Sequence, residues 1–292
     1  MARTRCNLCG GTDFKLFFKT EGEEKGTKFF PSSDVIGNES LVRCKNCNLV
    51  FVNPMPDEKK MIAEYSDFKD DRFASQAKGR EITFSKNMTE IEKYAKKGRI
   101  LDIGSANGSF LFVAKNRGWR VEGVELNKYL IKWAKENYNL DLKQGTIFEN
   151  SFKNNFNVVT LWDVLEHVSD PSATLKRCHE LLDKNGVLVV NYPDYKSIIS
   201  KILAKKWPFY LSVHLYYFDR QTIAKMLEKN GFKIIKIKPH IQYLDLGYIL
   251  FRAKKYLGSI LSIPQMIVSS MGLNDKKIPY WIGQTLVIAR KK

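Results

Sequence analysis

Short apolar runs alternate with helically spaced stretches through most of the chain. Ile100 to Ile103, Trp119 to Val124, Asn157 to Leu161, Val187 to Asn191, Phe232 to Lys238 and Ile282 to Ala289 read as buried strands, and Asp141 to Gln144 as a further one. Between them Phe110 to Asn116, Asp170 to Leu182 and Asp219 to Asn230 carry helical spacing, with Asp170-Pro171 and Asp219 as start signals. Strands that alternate with helices predict a doubly wound α/β domain with a mostly parallel sheet and its ligand at the carboxyl ends of the strands. The first part of the chain differs. Phe14 to Phe18, Lys28 to Phe30 and Leu49 to Val52 look like short strands, and Asn53-Pro-Met-Pro56 marks a boundary. From Asp57 to about Lys97 the pattern turns helical. Residues 1–56 are thus expected to form one module, 57–98 a helical connector placed to cover a site, and 99–292 the main domain.

Composition narrows the class. The 292 residues are 44% hydrophobic and 27% charged, which excludes fibres and disordered tails. The formal charge of +17 is uneven: Met1 to Tyr195 hold 30 Lys/Arg against 27 Asp/Glu, whereas Lys196 to Lys292 hold 18 against 4. An excess confined to the last third suggests an anionic partner there: substrate phosphates, a lipid surface or RNA. No secretory or transit signal is evident, and the longest uncharged run, Tyr256 to Asn274, contains Gly258, Pro264 and Gly272, so a spanning helix is rejected. A cytoplasmic protein is expected, in whose reducing surroundings the five cysteines stay unpaired.

Four of those cysteines form Cys6-x2-Cys9 and Cys44-x2-Cys47. Two tight turns aiming four thiolates at one ion are the pattern of a closed structural zinc site, with a rubredoxin-like iron site as the alternative. Gly10 and Asn48, just after the knuckles, suit the left-handed conformations such turns need. Cys178 is expected to be a small buried apolar residue.

Asp102-Ile-Gly104-Ser105-Ala106-Asn-Gly108 is a strand end running into a small-residue turn before a helix, where a backbone can approach a ligand closely. A second strand ends in Glu125, whose carboxylate could accept hydrogen bonds from both hydroxyls of a ribose. A nicotinamide fingerprint would need glycine where Ala106 and Leu111 stand. Here the sequence resembles the class I S-adenosylmethionine-dependent methyltransferases, from Arg99 to about His240 and again near Ile282 to Ala289.

The resemblance implies that Asp102, Gly104, Ser105, Ala106 and Gly108 cradle the methionine part of S-adenosylmethionine. Glu125 would bind the ribose, Leu126 would lie beside the adenine, and Gly145 and Thr146 would hold its edge. Trp162 and Asp163 would lie next to the sulfonium. Asp163, Glu166 and His167, at i, i+3 and i+4, are expected on one face of a turn or short helix. A similar acidic-x2-Glu-His segment in O-methyltransferases acting on quinone precursors is associated with a divalent metal, which would make these three Mg²⁺ ligands; structural hydrogen bonding is the preferred reading.

The substrate side is expected in two insertions, at about 194–218 and 241–281. Lys196 to Lys206 reads as an amphipathic basic helix, with Ile198, Ile199, Ile202 and Leu203 on one face. His214 lies in a stretch that resembles the His-Leu-x-Tyr-Phe segment of sugar C-methyltransferases bearing a similar zinc module, in which that His is catalytic; those enzymes also carry a further C-terminal domain. His214 is therefore the expected general base, with Asp163, His167 and Tyr217 as further catalytic candidates, and His240 is given no function. Leu244 to Gly272, basic and apolar, reads either as a segment docking on anionic lipid at the inner membrane surface or as a packed hairpin.

The expected activity is methyl transfer to a hydroxyl of a sugar or lipid-linked glycan precursor. An RNA methyltransferase is the alternative, although residues 1–56 are nearly balanced, with eight Lys/Arg against six Asp/Glu. A non-catalytic cofactor-binding scaffold is the second.

Overall fold

The coordinates are those of a computed structural model, which describes residues 4–19, 40–67, 69, 75–153, 155–211 and 213–292. The expected strand Lys28 to Phe30 lies outside the described residues.

The N-terminal strands β1 (Phe14–Lys19), β2 (Ser40–Cys44) and β3 (Val50–Asn53) pair antiparallel. Each cysteine knuckle closes as a tight turn, through Gly10 N–H to Cys6 O at 2.7 Å and Asn48 N–H to Cys44 O at 2.9 Å. Gly10 and Asn48 take the left-handed conformation, with φ of 73° and 67°. After the prolines come α1 (Glu58–Ser66), capped by the Asp57 carboxylate accepting from Lys59 N–H and Lys60 N–H, and α2 (Ala77–Ile91).

The main domain then runs β4 (Arg99–Ile103), α3 (Ser109–Asn116), β5 (Arg120–Glu125), α4 (Lys128–Tyr138), β6 (Lys143–Gln144), β7 (Phe156–Trp162), α5 (Pro171–Leu181) and β8 (Leu182–Pro193). It continues with α6 (Ile198–Leu203), β9 (Tyr216–Tyr217), α7 (Arg220–Lys229), β10 (Phe232–Pro239), β11 (Gln242–Asp245), α8 (Leu246–Leu257), α9 (Ser262–Ser270), β12 (Lys277–Tyr280) and β13 (Gln284–Lys291). One seven-stranded sheet has the order β6-β5-β4-β7-β8-β13-β10. It is parallel except for β13, which runs antiparallel to both its neighbours. Helices cover both faces, so the central strands are nearly continuous apolar runs: Ile100, Leu101, Val158, Val159, Val187, Leu188 and Val189 are fully buried. Strand order turns back between β4 and β7, and a crevice opens there at the carboxyl ends.

Two elements are shorter than their patterns suggest. Only Lys143 and Gln144 of the third expected strand pair with β5, because the run is polar and lies at the sheet edge. The basic helix expected over Lys196–Lys206 is α6 plus a 3₁₀ turn, Ala204–Lys206. Its apolar face divides: Ile199 and Leu203 pack against the cluster that contains Trp207 and Tyr217, while Ile198 and Ile202 are 70% and 73% exposed.

The cysteine module is not a separate bead. β9 adds to the edge of β3, with Phe51 opposite Tyr216 and Val50 opposite Tyr217, giving one sheet of order β1-β2-β3-β9. Phe51 stacks on Tyr216 with ring centroids 6.2 Å apart, and Cys6, Cys44 and Cys47 share a core with Leu215 and Phe218. Beyond β10, β11 and β12 form a hairpin carrying α8 and α9, and its Tyr243 N–H donates to Thr83 Oγ1 of α2 at 2.8 Å.

Candidate active site

β4 ends at Ile103, and the chain turns under the start of α3 through three positive φ angles: Gly104 at 66°, Ala106 at 48° and Gly108 at 74°. A Cβ on Gly108 would also meet Leu140 Cδ1 at 2.9 Å. Ser105 Oγ closes the turn by donating to Asp102 O at 2.8 Å. Glu125, at the end of β5, is 2% exposed, and its carboxylate accepts from the N–H of Ala106 and of Asn127, each at 2.8 Å. Burial raises its pKa, and these backbone donors oppose the rise. Asp102 is buried too and accepts from Thr160 Oγ1 at 2.5 Å; burial pushes its carboxyl well above the usual range. Gly145 N–H donates to Glu125 O at 3.0 Å, which brings Gly145 and Thr146 alongside Leu126.

A cavity of about 840 Å³ runs from this turn across the ends of β4, β5 and β7 to the insertions. All the expected cofactor-binding residues line it except Gly108, which stands behind the turn at the start of α3. Met61, Ile62 and Tyr65 of α1 and Arg80 and Phe84 of α2 form another wall. Buried polar atoms without a protein partner gather there: Asp102 Oδ2, Asn107 Nδ2, Trp162 Nε1, both Glu166 oxygens, His240 Nδ1 and Gln284 Oε1. Such atoms are costly when buried without a partner, and they cluster in the residues around this cavity.

At the far end Asp163 departs from expectation. Its φ is 52°, and of the two expected forms Asp163 to His167 takes the turn. Asp163 Oδ1 accepts from Asn191 Nδ2 at 2.6 Å and Gln284 Nε2 at 3.1 Å, which turns the carboxylate away from a shared face. The residue that joins Glu166 and His167 is His214, and one ligand atom from each of the three lies within 4.8 Å of the others. His167 Nδ1 is 2.8 Å from Val213 O, and His214 Nδ1 is 2.8 Å from Phe209 O. A carbonyl only accepts, so both imidazoles donate from Nδ1 and keep a lone pair on Nε2. Burial lowers His167 to about 4, and burial with the adjacent His167 holds His214 well below its ordinary value. Burial raises Glu166 and Asp163 above theirs. The cluster can take up a proton, or hold a small cation in its place. Among the described residues the candidate cation set here contains His214 in place of Asp163, the third ligand that the resemblance implied.

Tyr217 is also corrected as a catalytic candidate. It does not line the cavity, and its phenol donates to Leu211 O at 3.1 Å within the core shared with the cysteine module. His240, for which no function was expected, is nonetheless part of the cavity wall. Its ring lies tilted against Trp162, with centroids 5.6 Å apart, and is held by Asn87 at 3.0 Å; burial lowers it to about 3.

A methyltransferase-domain family model matches residues 65–237, more than half of the chain. The chain belongs to this family. It is a class I S-adenosylmethionine-dependent methyltransferase. Relatives include a ubiquinone biosynthesis O-methyltransferase of Coxiella burnetii, 24% identical over 198 residues, covering 62% of this chain and 84% of that one. Another, from Bradyrhizobium diazoefficiens and of the same description, is 33% identical over 98 residues, 32% of this chain and 39% of that one. Among solved structures, a SAM-dependent methyltransferase of Thermotoga maritima superposes with a TM-score of 0.50 at 19% identity, covering 80% and 98% of the two chains. One from Archaeoglobus fulgidus gives 0.50 at 18% identity, covering 73% and 94%. These likenesses show the fold. The turn after β4, Glu125 and the unpartnered atoms around them fit the methyltransferase cofactor.

The cysteine cluster packs against the segment that follows His214, through the pairing of β3 with β9. Cys6 and Cys47 Sγ are 3.5 Å apart, as are those of Cys9 and Cys44. Four sulfurs about 2.3 Å from one tetrahedral ion would stand about 3.8 Å apart, so the set suits zinc with little adjustment. Tyr65, Arg80, Phe84 and Gln284 escaped sequence reasoning. Arg80 gives one retrievable signal, since a guanidinium sits among the buried positions of α2 that include Ala77, Thr83 and Phe84.

Proposed function

We propose that this methyltransferase O-methylates a hydroxyl of a sugar on a lipid-linked glycan precursor, with His214 as proton acceptor. The observation that carries the reading is the cluster of Glu166, His167 and His214 in the wall of the cofactor cavity, with an imidazole lone pair fixed by a backbone carbonyl. Bound S-adenosylmethionine would supply an activated methyl group to the hydroxyl oxygen and leave as S-adenosylhomocysteine. The chain's part is mostly alignment. Asp102 and the turn to Gly108 would hold the methionine end, Glu125 the ribose, and Leu126, Gly145 and Thr146 the adenine. Trp162, packed against Phe84 and Phe110 at 5.1 Å, walls the reacting centre against water. His214 Nε2 takes the hydroxyl proton as the new bond forms.

Lys206 and Arg252 border the cavity at the insertions and suit an anionic link such as a phosphodiester. A second reading, a phenolic acceptor with a lipid tail, is favoured by the O-methyltransferase relatives. Four thiolates in a closed shell leave no open position, so zinc at Cys6, Cys9, Cys44 and Cys47 would fold the module without entering the reaction.

Incubating the protein with methyl-labelled S-adenosylmethionine and a total cell extract tests the acceptor. Label in lipid that acid releases as a methylated sugar is the expected result. Label in an acid-stable lipid selects the phenolic reading, and label in RNA alone overturns both. A Mg²⁺ requirement restored after chelation would reassign the cluster to cation binding. Glu125→Ala should weaken cofactor binding about 100-fold by calorimetry, because two charge-assisted hydrogen bonds are lost and the Ala106 and Asn127 amides lose their acceptor. Unchanged affinity would remove Glu125 from the cofactor site.

A further inference from the structure

Six large apolar side chains of the α8–α9 insertion stand in solvent: Phe251 (43% exposed), Ile260 (78%), Ile263 (65%), Met266 (66%), Ile267 (49%) and Met271 (64%). The sequence of α9, Ser-Ile-Pro-Gln-Met-Ile-Val-Ser-Ser, contains no charge, and none of its residues is buried. On α6, Ile198 and Ile202 are exposed in the same way. The two elements border one opening, since Leu203 and Lys206 line the cavity from the α6 side and Tyr248, Ile249 and Arg252 line it from α8. Apolar surface concentrated like this marks a place that something covers.

We infer that α6 and the α8–α9 insertion are a docking surface for an anionic lipid bilayer, which they meet in the plane of its headgroups. Charge complementarity chooses the occupant. Lys201, Lys205, Lys206 and Lys254 are exposed around the apolar side chains, and the nearby acid Asp245 is already paired with Lys277 at 2.7 Å. A second copy of this chain would bring the same cations face to face, in a region with 18 basic and 4 acidic residues. Anionic headgroups are attracted to those cations, while the isoleucines and methionines enter the acyl boundary. Among the described residues no helix is long and apolar enough to cross a membrane, so the surface lies on the bilayer. Docking would press the cavity mouth against the headgroup layer. That consequence rests on the lipid-linked acceptor; the docking itself does not.

Sedimentation of the full chain with phosphatidylcholine–phosphatidylglycerol vesicles, compared with phosphatidylcholine alone, tests the surface. Partitioning should favour the anionic vesicles by about tenfold or more and fall as salt rises. The double variant Ile263→Asp/Met266→Asp should bind about tenfold more weakly to both, and Lys201→Glu/Lys205→Glu should lose the anionic preference. These positions are exposed, so cofactor affinity and melting temperature should match the unsubstituted protein. The inference is overturned if the unsubstituted protein stays in the supernatant with both vesicles, or if Ile263→Asp/Met266→Asp sediments equally. It is also overturned if that variant instead dissolves a dimer in sedimentation velocity, because the face would then join two copies. Vesicle binding involves no turnover, so it can fail or succeed whatever acceptor is found.

Discussion

His214→Ala should lower kcat about 10²–10⁴-fold and leave the affinity for S-adenosylmethionine unchanged. The imidazole is 4% exposed, and its Nδ1 proton is committed to Phe209 O at 2.8 Å. The neighbouring His167 ring is 4.7 Å away and Tyr217 is 6.0 Å away, so the ring also fills space. His214→Gln keeps most of that volume and can keep the hydrogen bond to Phe209, but it offers no base. A proton-accepting role therefore predicts that both variants lose turnover, whereas a packing role predicts rescue by glutamine. Burial and His167 keep the imidazole neutral below the ordinary histidine range, and protonation would inactivate it. The acid limb of the rate profile should therefore lie below the range of an ordinary histidine. Turnover by the alanine variant within about twofold of the unsubstituted protein would remove His214 from the chemistry.

On the proposal that the four cysteines hold a structural zinc, Cys44→Ser should lose the metal, lower the melting temperature and abolish turnover, although Cys44 does not line the cavity. A structural zinc site contributes on the order of 10–16 kcal/mol of apparent folding free energy, and one lost thiolate forfeits much of it. The effect should spread along the sheet. Cys44 ends β2, β2 pairs with β3, and β3 holds β9 through Phe51 and Val50. Val52 N–H donates to Leu215 O at 2.9 Å, and Leu215 N–H donates to Glu166 O at 2.8 Å, so the backbone beside His214 is tied to both module and active site. Loss of the module should misplace Glu166 and His214 and spare the cofactor end, which β4 and β5 carry. Metal analysis, thermal unfolding and cofactor titration would check each part. One equivalent of iron in place of zinc would make the site rubredoxin-like, and a Cys44→Ser protein with full metal and full turnover would refute a structural role.

Much of this was written locally. The Cys-x2-Cys pairs, the apolar strands and the Gly104–Gly108 turn are short-range patterns, because thiolate spacing, strand burial and positive φ are decided within a few residues. The same holds for Asp170 and Asp219, whose carboxylates cap α5 and α7. The partners of buried polar groups depended instead on packing between distant segments. Helical spacing placed Asp163 beside Glu166 and His167, but amides from β8 and β13 drew its carboxylate away and the loop before β9 brought in His214. Tyr217 resembled His214 in its aromatic setting, and only the pairing of β9 with β3 turned it into the core. Arg80 and His240 became cavity residues when α2 and the end of β10 closed over β7. By itself the sequence determined the sheet, the two Cys-x2-Cys turns and the Gly104–Gly108 turn, each a local matter of residue type and period. Tertiary structure alone decided which side chains meet across the cavity, because a hydrogen-bond partner is chosen by the packing of whole elements.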